Sequence, residues 1–341
     1  MKQRVTLKEI ANRVGVHVST VSRALDPKTR HRINPKVVEK IVSVSEELDY
    51  RQNTAAYSLR TNRTRTIGVI IPDITNPIFP PIIRGIEDSL AASGYVAIVG
   101  NTDGNHQRER HLMDTFLGRG VDGLVLASVE RDDDALNSAI AEGVPIVTVN
   151  RRVDKPTVSS VVHDDDEGIR RVLTHLVSLG HRKIANIAGP QTFSTGAERY
   201  AAFERYRSAM GLDPDPRLVV FADAYNEIDG EGCVEELIAA GSEFSAIVCA
   251  NDRLAMGAIT ALNRRNLRCP SDVSVTGYND MLMVDRINPP LTTVRIHQYR
   301  LGTEAGALLQ KMIGTDYSPE HMVLPVELVI RGSTQAVKKA M

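Results

Sequence analysis

The sequence predicts an α/β protein in which a small all-α head precedes a body of two doubly wound parallel sheets. A helix-turn-helix pattern occupies residues 6–25, positive charge is concentrated at the same end, and short apolar segments alternate with amphipathic helices from residue 66 onward. At 341 residues the chain is long enough for at least two domains. We therefore divide it into a headpiece at 1–51, a hinge and linker at 52–65 and a body at 66–341.

The first helix of the pattern begins at a capping box, in which the Thr6 side chain accepts from the Glu9 amide and the Glu9 carboxylate accepts from the Thr6 amide. One apolar stripe follows at positions i, i+3, i+4 and i+7, made of Leu7, Ile10, Ala11 and Val14. Gly15 supplies the left-handed residue that ends the helix.

A second helix follows at once and presents two different faces. The residues that can pack back on the first helix are Val16, Val21 and Leu25. The opposite face carries Val18, Ser19, Ser22 and Arg23. Because the second helix of a helix-turn-helix lies in the major groove, these side chains are free to reach base edges. A small helical hairpin inside an ordinary globular domain is the alternative interpretation.

The charge distribution favours DNA binding over that alternative. Residues 1–66 carry 14 Lys or Arg and 6 Asp or Glu, a net charge of +8, whereas residues 67–341 carry 27 and 36, a net charge of −9. The near-neutral total of −1 therefore conceals a basic head on an acidic body. Positive charge confined to one end indicates phosphate binding there.

Two further helical segments follow in the head and linker. Asn34 and Pro35 form a helix start, and an apolar series continues it through Val37, Ile41, Val44 and Leu48. Residues 53–60 form another candidate helix of about two turns, followed by a polar link at 61–66. Because two turns alone are not stable in water, we expect this segment to fold only when it is held, as in a hinge that orders on DNA.

Beyond residue 66 the chain alternates strands with helices. The candidate strands are 67–71, 96–99, 123–126, 145–149, 183–187, 218–221, 246–249 and 273–276. Glycines stand at or near the ends of the intervening helices, at Gly94, Gly120, Gly143, Gly180 and Gly211. Short buried strands separated by helices predict parallel sheets, and roughly 270 residues exceed one such sheet. We therefore expect two similar α/β halves, with ligands bound at the carboxyl ends of their strands.

Composition excludes several classes of protein. No apolar stretch approaches the roughly 18 residues of a membrane span, and the N-terminus leads into a polar helix without the apolar region of a signal peptide. We therefore expect a cytoplasmic protein. Cys233, Cys249 and Cys269 are odd in number, far apart and without a C-x-x-C spacing, so we expect plain core thiols.

Three segments invite a catalytic or metal-binding interpretation, and we reject each. Residues 118–123 read G-x-G-x-x-G, but a helix precedes them and a strand follows, the reverse of a dinucleotide-binding turn. The acidic run at 163–167 suits the positive N-terminus of a helix better than an ion, because neighbouring side chains point in different directions. Residues 131–134 indicate another, solvated helix start. We therefore expect no enzymatic activity, no cofactor and no metal.

The motifs and their order resemble the lactose-repressor/galactose-repressor (LacI) family of bacterial transcription regulators over essentially the whole chain. Residues 6–25 resemble the family's T-x-x-x-I-A…G-V…T-V-S-R pattern, and Tyr50 with Asn53-x-x-Ala56-x-x-Leu59 resembles its hinge. The matching phrases of the body are 67–69, 73–77, 179–184, 251–258 and 270–278.

The resemblance implies a homodimer, ligand control of operator binding, and a periplasmic-binding-protein-like body whose two subdomains are joined by three crossing strands. The subdomain bounds would be about 66–162 with 293–322, and about 163–292 with 323–341. The chain departs from the family at His17, where Ser usually caps the recognition helix, and at Gln52 and Tyr57, where Pro and Arg are usual.

The resemblance also implies which residues contact DNA. Val18, Ser19 and Arg23 match the family's base readers, and Leu59 matches the leucine that such repressors wedge into the minor groove. An arginine fork suits guanine, whereas valine meets only a thymine methyl. An ordinary packing role in the linker helix is the alternative for Leu59. The candidate set is Thr6, His17, Val18, Ser19, Thr20, Ser22, Arg23, Asn53, Ala56, Tyr57 and Leu59.

For the effector, the predicted strand-end loops supply Asp73, Asn76, Phe79, Asn150, Arg151, Arg199, Tyr225, Asn226, Asp252 and Asn279. The positions that match the family's ligand contacts include Phe79, Arg151, Arg199 and Asn279. Planar amides, carboxylates and guanidinium groups bind vicinal hydroxyls in pairs, and Phe79 can cover an apolar sugar face. A nucleobase would favour a second aromatic beside Phe79, where Ile78 and Pro80 stand, so we expect a sugar, polyol or sugar derivative. The alternatives are that Arg199 pairs near its own helix and that Asp252 only caps a helix.

We interpret the chain as a dimeric, ligand-responsive transcriptional repressor. Two other classes stay open at this point: a cytoplasmic sugar-binding or sugar-processing protein whose basic head binds RNA or a partner, and a nucleotide-dependent enzyme. Operator binding with and without the headpiece separates the first two, and turnover of candidate sugars addresses the third.

Overall fold

The computed structural model describes residues 5–26, 29–50, 63–155 and 157–337. The chain divides into two compact units between Thr64 and Arg65. Four candidate DNA-binding residues lie outside the described residues, namely Asn53, Ala56, Tyr57 and Leu59. The predicted helix at 53–60 lies outside them as well.

The first unit is a small helical domain. Its described elements are α1 (Leu7–Val14), α2 (Val18–Leu25), a 3-10 turn (Arg30–Arg32) and α3 (Pro35–Glu47). Thr6 and Glu9 form the predicted capping box, and Gly15 ends α1 with a φ of +82°. The three helices each contribute one fully buried side chain to the core, namely Ile10, Val21 and Ile41. The predicted helix-turn-helix and third helix are therefore confirmed.

The second unit contains two six-stranded sheets. The strands of the first are β1 (Thr66–Ile71), β2 (Val96–Asn101), β3 (Gly123–Leu126), β4 (Ile146–Val149), β5 (Ser159–His163) and β11 (His321–Leu324). They lie in the order β11-β5-β4-β3-β1-β2, and every pair is parallel. The helices of this half are α4 (Phe79–Ala91), α5 (His106–Gly118), α6 (Asp134–Ala141) and α11 (Gln298–Met312).

The second sheet repeats this plan. Its strands are β6 (Ile184–Ala188), β7 (Val219–Phe221), β8 (Ala246–Cys249), β9 (Ser274–Asn279), β10 (Thr292–Arg295) and β12 (Glu327–Val329). They lie in the order β12-β10-β9-β8-β6-β7, and only the β10–β12 pair is antiparallel among the described strands of this sheet. Its helices are α7 (Asp165–Ser178), α8 (Ser194–Ala209), α9 (Glu227–Ala239) and α10 (Asp252–Arg264), with a 3-10 turn at Pro216–Leu218. The predicted pair of doubly wound sheets is confirmed.

The described chain crosses between the sheets three times. The crossings lead from β5 into α7, from β10 into α11, and from β11 into β12. The sheets change a few residues beyond the expected subdomain bounds, because Thr292–Arg295 pairs within the second sheet and His321–Leu324 within the first. Strand pairing decides which sheet a crossing segment joins, and the apolar pattern does not contain that information.

Strands β5, β10, β11 and β12 are absent from the strands that the apolar pattern predicts. The segments around β5 and β10 are rich in Ser and Thr, yet their side chains are buried. Other segments of the chain supply hydrogen-bond partners for the buried hydroxyls. The Ser160 hydroxyl lies 3.0 Å from Nδ1 of His321, and the Thr293 hydroxyl donates to the Asp252 carboxylate. Buried polar groups are tolerated when they are hydrogen-bonded, so a core strand need not be apolar.

The structure also bears on the predicted helix-end glycines and core cysteines. The five glycines predicted at helix ends all adopt φ values between +61° and +92°. Cys233 and Cys249 are buried free thiols and Cys269 is a partly buried one, as expected for core cysteines. Among the described helices, none combines the length and the apolar character needed to span a membrane.

Candidate functional site

The start of α2 is held by His17, which takes the place of the usual serine cap. The His17 Nδ1 atom accepts a hydrogen bond from the Ser19 amide at 3.2 Å and lies 2.8 Å from the Ser19 hydroxyl. An N-cap needs only an acceptor within reach of the first amides of the helix, and the imidazole supplies one. The departure from the family pattern at His17 therefore preserves the helix start.

The candidate DNA-reading side chains of α2 are exposed or partly buried, and Val18 among them packs against the edge of the head core. Val21 and Ala24 of α2 are buried. His17, Ser19 and Arg23 are exposed, and the partly buried candidates are Val18, Thr20 and Ser22. Thr6 serves the capping box of α1. The outer face of α2 thus presents one long cationic side chain among small polar groups.

The body contains a cavity of about 520 Å³ between its two sheets. Loops that follow strands of both sheets line it, as expected for ligand sites at the carboxyl ends of parallel strands. Nine of the ten candidate effector residues are among its lining residues: Asp73, Asn76, Phe79, Asn150, Arg151, Arg199, Tyr225, Asn226 and Asn279. The Asn76 side chain also accepts from the Ile78 amide, and the Asn226 side chain caps α9 by accepting from the Asp229 amide.

Asp252 is the candidate that does not line the cavity. Its carboxylate is fully buried and accepts hydrogen bonds from the Met281 amide at 2.8 Å and from the Thr293 hydroxyl. It does not cap α10 either, because Asn251 occupies the N-cap position. Burial raises the pKa of Asp252 to about 7. Asp252 therefore ties the β9 end to β10 from inside the protein, and the prediction that it contacts the ligand is wrong for this geometry.

Arg199 forms a buried ion pair on the cavity floor. Its Nε donates to Asp165 at 3.0 Å, its Nη1 donates to the Ala250 carbonyl at 2.6 Å, and its guanidinium lies 3.7 Å from the ring centroid of Tyr278. Burial would raise the pKa of Asp165, but the Arg199 charge and the nearby His163 imidazole lower it to about 2. The alternative of a pairing within its own helix is wrong, since Asp165 begins α7.

Arg151 is a second buried guanidinium, and its surroundings differ. Its Nη1 donates to the Ser128 carbonyl at 3.3 Å, and its guanidinium stacks 3.6 Å above the Phe193 ring. Burial lowers the pKa of Arg151 to about 10. No carboxylate forms an ion pair with Arg151 in the described part of the chain, so its charge is less compensated than that of Arg199.

Three buried polar atoms that belong to cavity residues lack a hydrogen-bond partner among the described residues. They are Asn150 Oδ1, Asn279 Oδ1 and Arg151 Nε. Asn150 and Asn279 also have positive φ values, +68° and +114°, which are uncommon outside glycine. Buried polar groups are nearly always hydrogen-bonded, and strained backbone is common at ligand sites. Both observations therefore indicate a ligand-binding site.

Aromatic side chains line the cavity from both halves. Phe79 begins α4, while Phe193 and Tyr225 come from loops of the second sheet. The rings of Phe193 and Tyr225 are inclined by 25° with centroids 6.4 Å apart. The expectation that no second aromatic would accompany Phe79 is therefore wrong, because residues distant in sequence supply it across the cavity.

An ion pair bridges the two halves at the edge of the cavity. Arg253 donates to Asp73 at 3.3 Å and to Glu227 at 2.7 Å. Burial raises the pKa of Asp73, but hydrogen bonds from Thr75 and the charge of Arg253 lower it overall. Asp73 lies after β1 and Arg253 on α10, so this contact joins the loops of different sheets.

Sequence reasoning missed several lining residues, chiefly Asp103, Phe193, Thr195, Asp223 and Arg253. Their common signal is position, since each lies within a few residues of a strand's carboxyl end or at the following helix start. Arg253 stands beside the predicted Asp252, but the first turn of α10 directs the Arg253 side chain toward the cavity and the Asp252 side chain into the core.

The rejected motifs behave as predicted, with one exception. Residues 118–123 connect the end of α5 to β3, and Asp164 caps α7 by accepting from Glu167. Asp133 caps α6 as expected, but it is only 3% exposed, so the prediction of a solvated helix start is wrong for this residue.

Two protein families match different parts of the chain. Residues 6–53 match bacterial regulatory proteins of the lacI family, and residues 173–334 match the periplasmic binding protein-like domain. The first match spans the helix-turn-helix, and the second spans all six described strands of the second sheet.

Individual relatives match over nearly the whole chain. The HTH-type transcriptional regulator RegA of Clostridium saccharobutylicum is 32% identical over 331 residues, which cover 96% of this chain and 99% of the relative. A solved lac repressor dimer bound to operator and the anti-inducer ONPF has a TM-score of 0.87 at 26% identity, covering 98% of this chain and 100% of that one. A complex of the transcriptional regulator CelR with cellobiose has a TM-score of 0.73 at 28% identity, covering 97% and 100%.

Proposed function

The chain belongs to the LacI family of bacterial regulatory proteins, and we propose that it is a repressor whose operator affinity is controlled by a sugar or sugar derivative bound between its two sheets. As a member of that family it is a DNA-binding transcriptional regulator with an effector-binding body, not an enzyme. Because it acts on the bacterial chromosome, we place it in the cytoplasm.

The helix α2 is the recognition helix in this proposal. The exposed Arg23 guanidinium presents a fork that fits O6 and N7 of guanine, and the neighbouring Val18 and Ser19 reach adjacent base edges. The remaining positive charge of the head binds phosphates and sets the register on the duplex. Leu59, which lies outside the described residues, is the proposed minor-groove wedge.

Exposed apolar side chains in both halves of the body support a homodimer. Val96 on the edge strand β2 is 65% exposed, and in the second half Ile228 and Leu282 are 79% and 68% exposed. Exposed apolar groups of this size on an edge strand favour a partner that covers them. A two-fold dimer places two recognition helices on a pseudo-palindromic operator. The solved lac repressor relative is a dimer bound to operator.

The observation that carries the effector proposal is the polar floor of the cavity. Unpaired amide oxygens of Asn150 and Asn279 lie with two buried guanidinium groups and the Phe79 ring around one space of about 520 Å³. Amide and guanidinium pairs bind vicinal hydroxyls, and an aromatic face covers the apolar side of a sugar ring. CelR, a structural relative, was solved in complex with the sugar cellobiose.

A nucleobase or nucleoside is the second candidate effector. Phe193 and Tyr225 supply stacked rings beside the same amides, and stacked aromatic surfaces suit a planar base. Arg151 covers one face of Phe193 at 3.6 Å, which leaves less of that ring for a base and favours the sugar.

A thermal-shift screen of the full-length chain tests the effector proposal. We expect a neutral sugar, polyol or sugar acid to raise the melting temperature, since a ligand at 100 times its Kd adds about 2.7 kcal/mol to stability. The shift should vanish in Arg151→Gln, which removes a cavity charge without leaving a paired carboxylate behind.

Arg152→Gln is the matched control. Arg152 is adjacent in sequence but pairs with Glu198 outside the effector cavity, so this variant should respond like the wild type. A shift with nucleosides and none with sugars would contradict the sugar proposal in favour of the second candidate. A shift of the same size in Arg151→Gln would remove Arg151 from the ligand site.

A further inference from the structure

A cluster of His106, Glu109 and Asp133 lies in the first half of the body, outside the lining of the effector cavity. One ligand atom from each side chain lies within 4.8 Å of the others. His106 is the first residue of α5 and Glu109 stands one turn later, so the two share a face of that helix. Asp133 reaches the same point from the N-cap of α6.

The cluster contains buried acceptors whose partners are missing. Asp133 is 3% exposed; its Oδ1 accepts from the Leu136 amide at 3.0 Å, while its Oδ2 is buried without a hydrogen-bond partner among the described residues. The Nδ1 atom of His106 is likewise buried and makes no hydrogen bond in the described structure. It lies 3.8 Å from a carboxylate oxygen of Glu109, beyond hydrogen-bonding distance.

The cluster brings two buried carboxylates together. Glu109 is also 3% exposed and accepts a hydrogen bond from the Ser128 hydroxyl. Two buried carboxylates in one place are costly while both are charged, and a bound metal ion removes that cost.

We propose that His106, Glu109 and Asp133 bind a divalent transition-metal ion, with Zn²⁺ as the best fit. Imidazole nitrogen and carboxylate oxygen are both zinc ligands, and an imidazole disfavours Mg²⁺ and Ca²⁺, which prefer oxygen alone. Three protein ligands leave a fourth position open to water or another donor. The ion would join the N-terminal ends of α5 and α6.

One residue, Ser128, connects this site to the effector cavity. Ser128 donates its hydroxyl to Glu109 and accepts from Arg151 at its carbonyl oxygen. A metal that fixes Glu109 would therefore fix the segment on which the Arg151 guanidinium rests. The proposal does not depend on the identity of the effector, because the metal alone is the probe.

Titration calorimetry with Zn²⁺ tests the site in the tag-free, metal-stripped full-length chain. We expect one Zn²⁺ per chain, and binding at least about tenfold weaker in each of His106→Ala, Glu109→Gln and Asp133→Asn. The amide variants keep the acceptor for Ser128 and the cap of α6, so loss of binding would not reflect a lost helix start. His111→Ala, an exposed histidine on the same helix, is the control and should bind like the wild type.

Substitution of Co²⁺ for Zn²⁺ gives an independent readout. The visible absorption of bound Co²⁺ should appear in the wild type and in His111→Ala, and disappear in His106→Ala. Absence of Zn²⁺ binding by the wild-type chain would overturn the proposal. Wild-type affinity and an unchanged Co²⁺ spectrum in the three cluster variants would also overturn it, because the ion would then be bound elsewhere.

Discussion

At the scale of single residues, the two buried guanidinium groups of the cavity floor have different surroundings. Arg199 pairs with the buried Asp165, whereas Arg151 rests on an aromatic ring and a backbone carbonyl. Removing one partner of a buried ion pair leaves the other charge without compensation, and the cost is large. The same substitution therefore has different consequences at the two positions.

We expect Arg199→Ala to lower the free energy of unfolding by about 3 to 5 kcal/mol, because it leaves Asp165 buried and unpaired. Chemical denaturation of the full-length chain, followed through the transition of the body, measures the loss. The double variant Arg199→Gln with Asp165→Asn removes both charges and should recover part of it. If Arg199→Ala unfolds at the wild-type denaturant concentration, the ion pair contributes nothing to stability.

A second residue-scale prediction concerns Asp252, whose pKa rises from its ordinary 3.8 to about 7. Burial and the Asp280 charge raise it, while the hydrogen bonds from Thr293 and Met281 and the charge of Arg199 oppose the rise. The folded state then binds the proton more tightly than the unfolded state. This carboxyl therefore lowers the free energy of unfolding progressively as pH rises from about 4 to about 7.

Asp252→Asn removes that titration. We expect the difference in unfolding free energy, variant minus wild type, to become more positive between about pH 4 and about pH 7 and to level off at higher pH. Denaturation curves of both proteins at several pH values give this difference directly. A difference that stays constant over the range would show that Asp252 keeps an ordinary pKa.

At the scale of secondary-structure elements, we propose that α2 carries the sequence specificity. Arg23→Ala should cost about 1 to 3 kcal/mol of operator binding and relax base preference at one position per half-site. Arg13 on α1, which pairs with Glu47 of α3, is the control. Arg13→Gln removes the same charge from the head and should leave base preference intact.

Selection of binding sites from random DNA, done with both variants, distinguishes these roles. Equal weakening on all sequences by Arg23→Ala would make Arg23 a phosphate contact. Retained base preference at every position would contradict its assignment as a base reader.

The elements also show which parts of the structure the sequence could predict. Helix α1 was predictable to the residue, because its capping box, apolar stripe and terminal glycine all act locally. Strand β10 was not predictable from apolar pattern, since Thr292 and Thr293 are buried only because other segments satisfy them. The Phe193 and Arg253 contributions to the cavity likewise arise from contacts between distant segments.

At the scale of the whole molecule, the basic head and the exposed apolar side chains of the body predict two-fold binding to DNA. We expect a footprint with two symmetry-related half-sites, and affinity that falls steeply with salt because phosphate contacts release counterions. Footprinting over a range of salt concentrations measures both properties. A single asymmetric half-site, or affinity independent of salt, would contradict a dimer whose binding rests on the charge of its heads.

Ligand control of operator binding is tested most directly by fluorescence anisotropy of labelled operator, titrated with the full-length chain with and without the compound that stabilises it most. Because coupling between two sites is reciprocal, we expect the ligand to change the operator Kd by about 5-fold to 150-fold, and operator to change the ligand Kd by the same factor. Arg151→Gln should bind operator with wild-type affinity and lose the response, whereas Arg152→Gln should keep it. An operator Kd that the bound ligand leaves unchanged would contradict effector control of this protein.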